Sequence, residues 1–190
     1  IQDKGRNMGN DLKFKISHKV TENNSSNFTI KPLDRGYGIT IGNSLRRALL
    51  TAVPGAAITN VKIEGAHHEF STIDGVTEDV ADIIMNFKGV RFHLFESKVE
   101  PILLKVKGPK AFTAADIQAV SNDFTILNPD HHITDIAKGT TLEVELRLGI
   151  GKGYKSSEEN KLNNSPVGMI PIDSIFNPVT KVSCLLYTSD

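Results

Sequence analysis

Two glycine runs, two histidine pairs, one cysteine and an arginine pair are the features of this sequence whose residue types and spacing bear on chemistry. The run Gly36-Tyr-Gly38-Ile-Thr-Ile-Gly42 has the glycine density of a loop that brings backbone N–H groups to a pyrophosphate. Glu64 follows about 20 residues on, where a dinucleotide fingerprint places its ribose-binding acid. The third glycine, however, comes one residue late, and Pro32 with Asp34-Arg35 suits a buried parallel strand poorly. A structural turn at Gly36, Gly38 and Gly42 leading into a helix accounts for the run. A nucleotide-binding enzyme using the Gly36–Gly42 turn is kept as the alternative. Gly149-Ile-Gly151-Lys-Gly153 lacks the spacing of a phosphate loop and reads as a strand end or bulge with glycine at positive φ.

His67-His68 and His131-His132 do not chelate a metal locally, because adjacent residues on a strand point to opposite faces. They read as surface or loop histidines, and no metal is expected. Cys184 stands alone, so it makes no internal disulfide and no structural zinc site by itself, which reads as intracellular. Carboxylates fall on strand faces or in helix first turns, where solvation explains them. No nucleophile–base pair emerges, so neither a catalytic residue nor a cofactor is expected. Arg46-Arg47 reads either as a solvated helix face or as an interface anchor, since arginine makes planar multidentate contacts and is enriched at hot spots.

The elements that must position these residues follow from hydrophobic periodicity. Residues 1–11 read as a frayed or partly foreign terminus. Leu12, Phe14, Ile16, His18 and Val20 alternate with polar residues, which predicts a strand with one wet face. A polar loop over 21–27 and a second alternation from Phe28 make 12–33 a hairpin. Ile41, Leu45, Ala48, Leu49, Ala52 and Val53 share one helical face; Gly42, Asn43 or Ser44 is the expected cap, and Pro54-Gly55 the stop. Arg47 lies about 200° around that helix from Leu45, off the apolar stripe. One or two strands follow over 57–70. A second helix carries Val76, Val80, Ile83, Ile84 and Phe87, with Glu78 and Asp79 in its first turn and Lys88-Gly89 closing it through the dipole and an αL cap. Strands are expected at 90–95, 102–107, 124–128 and 142–148, a helical turn at 113–117, and a mobile polar loop at 155–166. Few helices among many short strands, without βαβ alternation, give the α+β class.

A chain of 190 residues suits one domain or two small ones. Lys+Arg and Asp+Glu number 22 each, a balance that argues against nucleic-acid binding by bulk electrostatics. The first ten residues are polar, so no signal peptide is read, and no apolar run approaches the ~20 residues of a membrane span.

The run from Lys31 to Gly55, KPLDRGYGITIGNSLRRALLTAVPG, resembles the signature of the bacterial RNA polymerase α subunit, N-terminal domain. The resemblance continues through Val61–Gly65, His68–Ser71, Gly75–Asp79 and Asn86–Gly89, and resumes at Thr113–Asp116, Gly151–Tyr154 and Pro166–Asp173. Order and spacing hold over roughly residues 12–182. The resemblance implies a dimerisation subdomain of hairpin and helix (residues 12–54 and 172–182) with an inserted β-rich subdomain (55–171). It implies a cytoplasmic, non-catalytic assembly platform without cofactor, metal or membrane. The platform forms a homodimer of α, recruits the β subunit, then β′. Arg47 matches a family arginine implicated in docking β; Lys88 and Asp173 match positions implicated in contacting β′. Leu45, Leu49 and Ala52 are expected to pack in the dimer or within their own subdomain. Family members continue past Val182 with a strand, a long helix and a separate DNA-binding domain. Residues 183–190 match nothing expected there and read as a foreign tail on a truncated frame. Dimerisation of this fragment is thereby in doubt, and contact with DNA is expected only indirectly, through the complex.

Overall fold

The computed structural model describes residues 14–21, 25–66, 68–95, 100–161 and 166–187. In chain order the elements are β1 (Lys15–Thr21), β2 (Ser25–Lys31), α1 (Tyr37–Thr51), β3 (Pro54–Ile63), α2 (Val80–Gly89), β4 (Phe92–Leu94), β5 (Ile102–Lys107), β6 (Lys110–Thr113), α3 (Ala114–Gln118), β7 (Phe124–Ile126), β8 (His132–Ile136), β9 (Thr141–Lys152), β10 (Tyr154–Lys155), β11 (Met169–Pro171) and β12 (Ser174–Ile175). By contact the chain divides into two units, residues 1–46 with 183–190 and residues 47–182. That division differs from the expected one at 54/55 and 171/172. The segment after Pro171 stays with the β-rich unit because its backbone is bonded to β3: Ile172 N–H donates to Thr59 O at 2.9 Å.

In the β-rich unit the strands run antiparallel in the order β5-β9-β3-β4-β7, with β11 also on β3. Period-two burial explains β5, whose Ile102, Leu104 and Val106 face inward while Leu103, Lys105 and Lys107 face out. The β3–β9 register slips between Ile58 and Asn60, a bulge at Thr59. Helix α2 lays Val80, Ile83, Ile84 and Phe87 into the same core. Phe87 meets Phe112 edge to face at 6.1 Å. Every buried hydrophobic side chain described lies between Ala57 and Phe176, so the core belongs to this unit.

Several boundaries move from their expected places. Helix α2 starts at Val80, because Asp79 is its cap and accepts the Asp82 N–H at 2.8 Å; Val76 instead bridges to Ile136. Gly89 is not an αL cap, since the chain leaves the helix through extended Val90. Its glycine has another reason. The His131 imidazole, held to Asn86 O at 2.8 Å, occupies the space a Cβ at Gly89 would need. Gly149 and Gly151 are not a strand end, because β9 runs through them to Lys152. At Gly151 a Cβ would strike the Phe176 ring; positive φ appears only at Gly153.

In the other unit β1 and β2 pair as the expected hairpin, from Lys15↔Lys31 to Thr21↔Ser25, with His18 stacked on Phe28 at 4.6 Å. The expected single wet face is not found. Ile16, Val20 and Phe28 are exposed, as is every described residue of both strands except half-buried Ile30. Leu12 and the residues before it lie outside the described residues, as do 22–24.

Candidate functional site

Helix α1 begins five residues before its expected caps, after a turn closed by Tyr37 N–H to Asp34 O at 3.1 Å. Gly36, at φ +88°, makes that turn. Gly38 and Gly42 are corrected: both lie inside the helix, not in a turn. Their missing side chains admit the Leu186 and Cys184 side chains against the helix surface. The strand before this run is one arm of an antiparallel hairpin, so the strand–turn–helix of a parallel nucleotide-binding unit is not formed.

Helix α1 has an apolar stripe but no buried residue. Leu45 is 45% exposed; Ala52 is exposed and Leu49 half-buried. The Arg47 side chain is exposed and has no hydrogen-bond or ion-pair partner among the described residues; only its carbonyl is used, by the Thr51 hydroxyl at 2.7 Å. A helix with an unburied stripe and a free guanidinium is chemically equipped to bind a protein surface.

The fold brings Lys88 and Asp173 together across 85 positions of sequence. Lys88 Nζ stands 3.4 Å from Asp173 Oδ2. Lys88 projects from the last turn of α2, where its charge also suits the helix dipole. Asp173 sits between β11 and β12, and its other oxygen accepts the Ser157 N–H at 2.8 Å. That N–H bond, then the Lys88 charge, outweigh desolvation and hold the Asp173 carboxyl below its ordinary range. Desolvation and the Asp173 charge push the nearby Tyr154 hydroxyl above its own. The pair forms part of the wall of an open groove of about 180 Å³, with Glu69, Phe70, Ile84, Met85 and Pro171. Phe70 and Met85 are large apolar side chains left exposed at its rim. Among the described residues Arg47 forms no ion pair with Asp173.

The histidine pairs do not converge. His68 bonds Ser71, His131 bonds Asn86 O, and His67 lies outside the described residues. Sequence reading missed what His132 does. Glu78, His132 and Asp135 come together with ligand atoms within 4.8 Å of one another. The Glu78 carboxylate is already committed: Thr134 Oγ1 donates to it at 2.5 Å and Asp135 N–H at 3.0 Å, and His132 Nε2 lies 3.0 Å away. This is a clasp between the approach to α2 and β8. Burial alone would raise the Glu78 carboxyl; the hydrogen bonds outweigh it and bring the group from 4.5 down to about 2. Because the folded value is lowered, the stabilisation is complete above pH 4.5 and is lost as pH falls through about 2. Urea unfolding in that window is expected to show a loss of about 2 kcal/mol that Glu78→Gln abolishes, the figure being discounted for the partial exposure of the side chain.

Among the described residues no helix is long and apolar enough to cross a membrane. Residues 61–177 match the profile of a family described as the RNA polymerase Rpb3/RpoA insert domain. The chain is 50% identical over 171 residues to the DNA-directed RNA polymerase subunit alpha of Alkaliphilus oremlandii, covering 90% of this chain and 54% of that protein. It is 47% identical over 177 residues to the subunit of the same name from Salinibacter ruber, covering 93% and 54%. Against that of Chloroherpeton thalassium it is 46% identical over 170 residues, covering 90% and 52%. The chain thus spans about half the length of the curated relatives it matches.

Proposed function

Because the chain belongs to the RNA polymerase α-subunit family, we propose that it serves as a non-catalytic assembly platform of bacterial DNA-directed RNA polymerase in the cytoplasm. In this reading two copies pair through the hairpin and α1, the β subunit docks at Arg47, and β′ docks at the Lys88–Asp173 groove. The observation that carries it is helix α1, which is amphipathic in sequence yet has no fully buried residue. An apolar stripe left partly in water is stabilised when a partner covers it, at about 25 cal/mol per Å² of apolar surface removed from water. An unpaired arginine on the same helix supplies the polar anchor. Contact with DNA runs through the assembled complex.

The test is capture of purified β by the subunit at the full length of its relatives. Arg47→Ala is expected to weaken capture by about 10-fold or more, as truncation of an interface hot spot does. Its melting temperature should stay unchanged, because the side chain is exposed and makes no hydrogen bond or ion pair among the described residues. Equal capture by both proteins would remove Arg47 from the interface; no capture by either would remove the platform reading.

A further inference from the structure

The segment expected to be a mobile polar loop holds a buried, hydrogen-bonded side chain of the β-rich unit. Asn160 is 4% exposed. Its Nδ2 donates to Ile172 O at 2.8 Å and to Ser174 Oγ at 2.9 Å. Its backbone carbonyl accepts Asn60 Nδ2 at 3.2 Å. Ser174 Oγ in turn donates to Ile58 O at 2.7 Å, beside the bulge in β3. One side chain therefore grips the residues immediately before and after Asp173. The same turn, from 156 to 160, supplies the Ser157 N–H that holds Asp173 Oδ1. Asp173 Oδ2 meets Lys88, and the Tyr154 hydroxyl also bonds this carboxylate.

We propose that Asn160 is the positioning residue of the Lys88–Asp173 docking site, fixing where Asp173 stands and, through it, where Lys88 points. This rests on the reading of that groove as the β′ site. The chemistry favours a clasp over filler. A buried amide nitrogen that donates to the Ile172 carbonyl and to the Ser174 hydroxyl oxygen has essentially one orientation. Alanine would leave Ile172 O and Ser174 Oγ without this donor and loosen the tie between the 172–174 segment and the turn. The partner would then meet a carboxylate and an ammonium spread over several arrangements, and would lose affinity in ordering them.

The experiment is a double-mutant cycle on β′ capture, run with the full-length subunit already holding β. Asn160→Ala is expected to weaken capture about 10-fold in the parent background and less than about 2-fold when Asp173 is already asparagine, because both changes act through one group. Equal loss in both backgrounds would make Asn160 a general stabiliser and overturn the proposal. Should Asn160→Ala not fold, Ser174→Ala, which removes the hydroxyl that the amide grips, is judged by the same cycle. A second readout needs no partner. Carboxyl NMR titration should show Asp173 moving up toward the ordinary carboxylate range in the Asn160 variant, and an unchanged Asp173 would overturn the proposal. If Asp173→Asn and Lys88→Ala alone leave β′ capture intact, the docking reading itself fails, and the NMR result still decides whether Asn160 positions Asp173.

Discussion

Phe87→Ala is expected to lower the stability of the β-rich unit by about 3–5 kcal/mol, the cost of emptying a filled aromatic site in a core that only partly collapses. The side chain is fully buried, set edge to face against Phe112, and carried on a helix turn that is tied down on both sides. Asn86 Nδ2 donates to Ile133 O at 2.8 Å, and the Asn86 carbonyl meets His131 Nε2 at the same distance. A domain's whole margin is about 5–15 kcal/mol, so the loss is a large share of it and should lower the melting temperature by about 10 °C or more. Met85→Ala, on the exposed side of the same helix, is the control and should stay within about 0.5 kcal/mol. Urea unfolding of both proteins decides it. Equal costs would mean that α2 is not anchored through Phe87. Because Lys88 follows Phe87 directly, loss of this anchor should also weaken whatever the Lys88–Asp173 groove binds.

The parts of this fold that were legible in the sequence are those long enough to repeat. β5 and the 142–148 part of β9 show several cycles of period two, and the α2 stripe spans two turns. Strands such as β10 and β12, two residues each, complete no cycle and left no pattern to read. β8 was hidden differently: in HITDI two adjacent residues, Ile133 and Thr134, are both buried, so the alternation breaks. The start of α1 was misplaced because glycines read as breakers. Gly38 and Gly42 sit within the helix because side chains from 184 and 186 come too close for a Cβ.

The candidate site divides in the same way. Nothing in spacing links Lys88 to Asp173 across 85 positions; only the family resemblance named both. Asn160 and Ser157 are not legible in the sequence, because KSSEENKLNNSP is polar throughout and a polar run says nothing of which amide turns inward. The signal that could have found Asn160 is the bulge at Thr59, which leaves the Ile58 and Thr59 carbonyls to be met by the 172–174 segment. No rule of sequence alone places a bulge there.

Leu45→Asp is expected to have the largest effect on assembly. In the present fold Leu45 is about half exposed, so the change should leave the melting temperature within a degree or two. Across a dimer interface the same change desolvates a carboxylate against apolar side chains and should weaken association by about 100-fold or more. The unburied face of α1 is the centre of this account, and sedimentation equilibrium of the full-length subunit tests it most directly. The wild type should sediment as a dimer at micromolar concentration and Leu45→Asp as a folded monomer. A wild type that stays monomeric, or a Leu45→Asp protein that dimerises equally well, would contradict the claim that a second copy covers this helix.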